Sequence, residues 1–136
     1  MIVDNIIKSI FITERHAERL QGLIDFAMPS NENDRRSIEQ LEDELYRANI
    51  VKPEDMPVDV VTINSKVQMI EIDSDLEVVF TLVYPADADL KMHRISVFSP
   101  IGSAVFGRRI DDIIEWRAPT KIMRAEIKKI ISQSES

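Results

Sequence analysis

In the first third of the chain, apolar residues recur with the period of an α-helix. They are separated by three, four and three positions, and they are Ala17, Leu20, Ile24 and Ala27. These spacings place the side chains on one face of a helix. Thr13 is a favourable N-cap for this helix, and Pro29 would end it because proline cannot continue the hydrogen-bond ladder. The pattern therefore predicts a first helix between Thr13 and Pro29.

A second stripe with the same spacings follows a short polar turn. Its members are Ile38, Leu41, Leu45 and Ala48. The sequence SIEQ is typical of a capping box, so we expect this helix to begin between Asn33 and Ser37. Two matched stripes joined by a short turn predict an antiparallel helical hairpin, that is, a short coiled coil. A hairpin of this length is not expected to be stable alone, so it should pack against the rest of the chain.

Beyond residue 52 the apolar residues form short β-branched runs separated by turn residues. The predicted strands are 58–63, 66–72, 76–84, 93–98, 113–118 and 121–131. A short helical turn over 100–107 interrupts them, with Gly107 as its C-cap. The pattern predicts an α+β chain, with a lead-in and hairpin over 1–52 and a curved antiparallel sheet domain over 53–136. The lead-in over 2–12 would either pair as an edge strand or shield the base of the hairpin.

Composition narrows the class of protein. The chain has 136 residues, 44% of them apolar, no cysteine and a net charge of −7. This charge argues against strong direct binding to nucleic acid, because neutralising phosphates requires clustered Lys and Arg. No segment approaches the roughly 18 apolar residues of a membrane span, and the first residues lack the features of a secretory signal. The absence of cysteine fits a cytoplasmic location.

The chain offers little for catalysis. It has three glycines and only two histidines, His16 and His93. These residues do not supply a nucleophile with its base, a zinc site or a phosphate-binding loop, so we expect neither enzymatic activity nor a cofactor. Carboxylates are abundant, and Glu32 and Asp34 lie at the turn between the two helices. They could share a magnesium ion with carboxylates of a partner, or they could cap the second helix and keep an exposed turn soluble.

Several segments of the second half resemble a known family. They are VVTINSKV over 60–67, TLVYP over 81–85, SPIGSAVFG over 99–107 and WRAP over 116–119. In these segments and in Asp112 the chain resembles the C-terminal domain of the GreA/GreB transcription elongation factors. With its short helices and the lead-in PEDMPVDVV, it is most similar to the shortened branch of that family, Rnk, the regulator of nucleoside diphosphate kinase.

The resemblance implies an FKBP-like C-terminal domain preceded by a coiled-coil arm. In this family the C-terminal domain docks on RNA polymerase at the mouth of the secondary channel. The arm then points inward, with an acidic tip that helps to hold a catalytic metal. The polymerase-binding loop corresponds to Phe98, Ser99, Pro100 and Ile101, although full Gre factors usually carry a polar residue at the position of Phe98. Alternatively, Pro100 and Ile101 start the short helix and fill the core.

The length of the arm separates the functions that the resemblance allows. Helices of about 16 residues rise only about 24 Å, whereas the arm of the longer factors has nearly twice as many residues per helix. Glu32 and Asp34 therefore match the acidic tip in kind but not in reach. We expect a non-catalytic regulator that binds RNA polymerase and competes with longer Gre factors. The alternatives are a transcript-cleavage factor acting through Glu32 and Asp34, and a general binding module that influences nucleotide kinases.

Overall fold

The protein combines two N-terminal helices with a curled β-sheet. A computed structural model describes residues 9–133. Within this range the helices are α1 (Glu14–Asp25), α2 (Glu32–Tyr46) and α3 (Pro100–Val105). The strands are β1 (Phe11–Thr13), β2 (Asn49–Val51), β3 (Lys66–Glu71), β4 (Glu77–Val83), β5 (Arg94–Ser96), β6 (Ile113–Arg117) and β7 (Ile122–Ser132). No helix in the described range is long and apolar enough to cross a membrane. The mixed α+β class predicted from the sequence is confirmed.

Side-chain caps set the start of both N-terminal helices. The Thr13 hydroxyl accepts a hydrogen bond from the backbone N–H of His16 at 3.4 Å, as expected for the N-cap of α1. Asn31 caps α2, and its side-chain oxygen accepts from the N–H of Asp34 at 2.8 Å. The predicted capping box at Ser37 is therefore wrong, because Asn31 already provides the cap. Ser37 lies inside α2, where its hydroxyl donates to the carbonyl one turn earlier.

The apolar stripes of α1 and α2 are buried in the same core as the sheet. Leu20 and Ile24 of α1 and Ile38 and Leu41 of α2 belong to one cluster with the buried side chains of β3, β4 and β7. The helices therefore pack against the rest of the chain, as their short length requires. The domain boundary between residues 52 and 53 stays a prediction, and the hydrophobic core passes across it.

The five-stranded sheet has the order β5-β4-β3-β7-β6. β3 pairs antiparallel with β4 and β7, and β7 pairs antiparallel with β6. β5 is instead parallel to β4, because two 3-10 turns between residues 85 and 92 carry the chain back across the end of the sheet. The prediction of a wholly antiparallel sheet is therefore wrong at this edge.

The lead-in contributes a strand of its own. β1 pairs in parallel with β2, and the two form a separate two-stranded sheet beside the helices. Ile10 and Ile12 are buried in the main hydrophobic cluster. This part of the lead-in therefore pairs as a strand, whereas residues 1–8 lie outside the described range.

Residues 58–63 do not form the predicted strand. Val60, Val61 and Ile63 are completely buried, which accounts for their β-branched, apolar pattern. Their backbone groups bond to the segment that follows α3, and the N–H of Val61 donates to the carbonyl of Arg108 at 2.8 Å. Complete burial therefore produces the same apolar run as a strand, without regular pairing.

Gly102 in α3 marks a close approach between two backbone segments. A β-carbon at this position would lie 1.9 Å from the carbonyl oxygen of Ser96, and a backbone atom cannot simply move aside. We expect Gly102→Ala to lower the free energy of unfolding by about 3 kcal/mol or more, measured by urea denaturation.

Gly22→Ala in α1 is the matched control for this substitution. No atom lies within 4 Å of the position that the new β-carbon would occupy, and alanine favours a helix over glycine. This control should raise the free energy of unfolding by about 0.5–1 kcal/mol. Equal stabilities of the two variants would contradict the close approach at Gly102.

Candidate functional site

The segment predicted to dock on polymerase, residues 98–101, is called the docking turn here and is held rigidly at the start of α3. The hydroxyl of Ser99 accepts a hydrogen bond from the N–H of Gly102 at 3.1 Å and donates one to the carbonyl of Ser96 at 2.7 Å. Pro100 occupies the first position of α3, where a backbone N–H would have no partner within the helix. A turn held in this way can present a surface to a partner with little further loss of conformational entropy.

Two of the four residues in the docking turn face the core. Phe98 and Ile101 are half-buried and pack against the main hydrophobic cluster. Pro100 is also half-buried, and it lines a surface depression beside α2. Pro100 therefore starts α3, as one of the two alternatives expected, and it borders an accessible surface, while its contact with a partner stays a prediction.

The acidic tip, Glu32 and Asp34, is engaged by residues of its own turn. Arg35 donates from Nε to the Glu32 carboxylate at 2.8 Å, and Nε of Arg36 lies 3.5 Å from the same carboxylate. The hydrogen bond from Arg35 holds the pKa of Glu32 below its ordinary value. The carboxylate of Asp34 accepts from the Asn31 amide at 3.3 Å. Both carboxylates thus organise the first turn of α2, where negative charge also complements the helix dipole.

The described residues do not assemble a metal site. Within the range 9–133, no three His, Asp or Glu side chains lie in an arrangement that could hold a metal ion. A metal at the acidic tip would therefore need carboxylates from another molecule.

The acidic tip lies beside the docking turn. Glu32 and Asp34 line one surface depression together with Pro100 and Arg117. The first half of α2 also borders a second depression with Pro100 and α3, so the neighbourhood extends along the helix. The structure thus brings together two predicted sites that are far apart in the sequence, and no local pattern in the sequence indicated this.

A buried ion pair fixes α2 against the domain. Arg108, which follows α3, donates from Nη2 to Oε1 of Glu44 at 2.7 Å, and the two side chains are 19% and 9% exposed. Burial raises the pKa of Glu44 above its ordinary value, and the nearby Arg108 opposes this rise without cancelling it. The sequence carried one signal for this contact, because Glu44 follows Leu41 by three positions and so lies on the buried stripe of α2.

Besides its buried apolar stripe, helix α1 contacts the ring of Tyr84, which directly follows β4. The guanidinium carbon of Arg19 lies 4.0 Å from the centroid of the Tyr84 ring, which is a cation–π contact. His16 meets the same ring edge-on, with 6.3 Å between the ring centroids. Partial burial lowers the pKa of His16, so this side chain is neutral near pH 7.

Two family models match the chain. The model described as "Transcription elongation factor, GreA/GreB, C-term" matches residues 42–132, and the model described as "Rnk N-terminus" matches residues 8–51. The two matches overlap over residues 42–51, which include the last part of α2, with Glu44, and strand β2.

Individual relatives agree with these matches. Transcription elongation factor GreA of Syntrophotalea carbinolica is 36% identical over 93 residues, which are 68% of this chain and 59% of that protein. The regulator of nucleoside diphosphate kinase of Escherichia coli is 48% identical over 77 residues, 56% of each chain. A solved GreA/GreB elongation factor from Nitrosomonas europaea is 37% identical, with a TM-score of 0.75 over 90% of this chain and 98% of that one. The chain thus spans 56–59% of the length of these two curated relatives.

We expect removal of the Arg108 cation to loosen α2. Arg108→Met leaves the buried carboxylate of Glu44 without its ion pair and should lower the free energy of unfolding by about 2–3 kcal/mol at pH 7. The loss should be smaller at pH 4. Because the pKa of Glu44 is raised in the folded protein, this carboxyl keeps its proton to a higher pH than it does in the unfolded chain. The cost of a buried, unpaired carboxylate in Arg108→Met therefore grows as the pH rises and Glu44 loses its proton. Urea unfolding at both pH values measures the effect.

Two further variants control this experiment. Arg35→Met removes an exposed, ion-paired arginine of α2, the helix that carries Glu44, and should leave the free energy of unfolding nearly unchanged, because exposed ion pairs contribute little. Arg108→Met combined with Glu44→Gln removes both charges, so it should be more stable than Arg108→Met alone at pH 7 and should show little of its pH dependence. An Arg108→Met protein as stable as the wild type at pH 7 would contradict the role of the ion pair.

Proposed function

The chain belongs to the GreA/GreB family of transcription elongation factors, with an N-terminal part of the Rnk type, and from this membership we propose that it regulates transcription without catalysis of its own. It binds RNA polymerase near the secondary channel through the docking turn. At this position it competes with longer Gre factors for the same entrance.

The position of the acidic tip carries this proposal. α1 and α2 have 12 and 15 residues, so they rise only about 18 and 22 Å. The tip borders the same depression as Pro100. A partner that contacts the docking turn therefore meets the tip at once, whereas an active centre deeper in a channel would lie beyond its reach. This placement supports a role at the entrance.

The contacts of the tip carboxylates also favour a role without catalysis. Glu32 is compensated by Arg35 and Arg36 within the same turn. A metal ligand must place an oxygen within about 2.0–2.6 Å of the ion, and two guanidinium groups this close would repel a cation. Transcript cleavage through Glu32 and Asp34 would require these contacts to break, so it is the weaker candidate.

We take the sheet domain to be FKBP-like, and α1 with α2 to be a shortened antiparallel coiled coil, as the family resemblance implies. A protein that binds RNA polymerase must act where transcription takes place, so the proposal also places the chain in the cytoplasm. The absence of cysteine is consistent with that location.

A second candidate function rests on one relative. The Escherichia coli protein that is 48% identical over the matched part is named a regulator of nucleoside diphosphate kinase. If this chain acts on such a kinase directly, the purified protein should change the rate of the kinase in an assay that contains no polymerase. An unchanged rate, together with intact polymerase binding, would leave the first proposal standing alone.

We expect Pro100→Ala to weaken binding to core RNA polymerase by about tenfold, which corresponds to the loss of about 1.4 kcal/mol at a rigid contact. A titration of the fluorescently labelled chain with polymerase measures the affinity. The wild type should also displace a GreA factor from polymerase, and Pro100→Ala should need about tenfold more protein to do so.

Pro53→Ala is the matched control for this measurement. Pro53 also occupies the first position of a short helical segment, and it is exposed. The control should bind polymerase as the wild type does. Equal binding by wild type and Pro100→Ala would remove the docking turn from the proposal, and an absence of binding by the wild type would end it.

We expect no transcript cleavage above that of polymerase alone when the chain is added to a backtracked transcription complex. The reason is the short reach of the tip and the compensation of Glu32 by arginine. A GreA factor serves as the positive control for the assay.

Wild-type cleavage that disappears in Glu32→Ala/Asp34→Ala would replace the proposed function with the cleavage function. Glu39→Ala/Asp43→Ala is the matched control, because it removes two exposed carboxylates farther along α2.

A further inference from the structure

A groove runs between α2 and β6, with α3 as its floor. Asn33, Ser37 and Gln40 form the wall that belongs to α2, and Ser103 and Ala104 of α3 lie beneath them. Strand β6 forms the opposite wall. The groove is therefore lined by a helix on one side and by the edge of a β-sheet on the other.

The hydrogen-bond pattern shows which backbone groups of β6 face the sheet. β6 is the last strand in the order β5-β4-β3-β7-β6, so one of its two edges is open. Just beyond it, the N–H of Ala118 donates to the carbonyl of Lys121 at 2.9 Å, in register with the β6–β7 pairs. The backbone groups of successive residues in an antiparallel strand point to alternate sides. The N–H and C=O groups of Ile114 and Trp116 therefore point to the same side as those of Ala118 and bond to β7.

The remaining backbone groups of β6 point away from β7 and into the groove. These are the N–H and C=O groups of Ile113, Glu115 and Arg117. Within residues 9–133, no strand pairs with this edge. A row of such groups is a template for another extended chain, and a helix cannot replace it because its own backbone groups are already bonded.

The charges in the groove select the kind of segment that fits. Arg36 and Arg117 line the same part of the groove. Glu115 is paired with Arg124 at 3.3 Å, so its charge is partly compensated. Arg117 forms no ion pair within the described range, and Arg36 has only the long 3.5 Å contact with Glu32. The two arginines therefore make a cationic position at this end of the groove, whereas Asp111 and Asp112 line its other end.

We propose that this groove binds an extended, acidic segment of a partner protein, which adds to β6 as a sixth strand. One acidic side chain of the segment lies between Arg36 and Arg117, and its backbone bonds to Ile113, Glu115 and Arg117. The half-buried Trp116 provides an aromatic contact at the centre of the site. Pro100 and Arg117 line both this groove and the depression beside the docking turn, so the two surfaces adjoin. The binding of the segment does not rest on the proposed function.

Selection from a random library of peptides of about nine residues, long enough to span the five residues of β6, supplies the probes. The full chain is the bait. We expect the selected peptides to alternate in polarity and to share an acidic position. Glu115→Pro removes an N–H that faces the groove while keeping the bonds of β6 to β7, since proline is tolerated at the open side of an edge strand. It should weaken binding at least about tenfold, whereas Glu115→Ala, which keeps the N–H, should change it less than about threefold.

Hydrogen exchange on the wild type keeps the test decisive if Glu115→Pro fails to fold. Addition of a selected peptide should protect the amides of Ile113, Glu115 and Arg117, while those of Ile114 and Trp116 should change little because they are already bonded to β7. Arg117→Ala should weaken the binding of an acidic peptide. It should have little effect on the binding of the same peptide when its Asp or Glu is replaced by Asn or Gln.

Three results would overturn the proposal. They are a failure to select any peptide, binding that is insensitive to both Glu115→Pro and Arg117→Ala, and protection that does not alternate along β6. A fourth result would assign the groove to a second copy of this chain instead, namely a dimer in sedimentation that Glu115→Pro dissociates. Polymerase binding is measured separately in every variant, so a failure of this proposal is distinguishable from a failure of the proposed function.

Discussion

Helices α1 and α2 depend on the β-sheet for their stability. Helices of 12 and 15 residues are marginal on their own in water, so their apolar stripes must find a partner surface. Leu20 and Leu41 are completely buried in the cluster that also fills the sheet. Apolar burial has no preferred direction, whereas the ion pair between Glu44 and Arg108 has a defined geometry. We infer that burial keeps α2 on the domain and that the ion pair fixes its position there.

This dependence links the length of the arm to its function. A longer pair of helices can support itself over many turns and extend away from the domain, whereas α2 gives much of its apolar surface to the domain. In the proposed function, short helices limit the reach of the tip, and the tip lies next to the docking turn. The carboxylates of Glu32 and Asp34 then stabilise the first turn of their own helix.

Local sequence patterns predicted most of the elements but not their arrangement. The stripes of α1 and α2 and the alternation in β4 and β7 indicated the correct elements, because burial repeats with the period of each element. Residues 58–63 misled because complete burial gives an apolar run with or without a strand. The parallel direction of β5 and the proximity of Glu32 to Pro100 depend on how distant segments pack. The docking turn is predicted from family resemblance alone, whereas the ion pair at Glu44 needed the structure.

The groove beside β6 follows from the same packing of α2. α3 has only six residues and lies between α2 and β6, so it separates them without covering the open edge of the sheet. If α2 extended away from the domain, this edge would face solvent, where charged side chains such as those of Glu115 and Arg117 discourage pairing. With α2 folded against the domain, the edge gains a second wall and Arg36 joins Arg117. Because α2 borders both the groove and the docking turn, a segment bound in the groove can reposition the tip only by moving α2. The buried ion pair of Glu44 resists that movement. Because Pro100 and Arg117 line both surfaces, a large partner on one of them would hinder binding at the other.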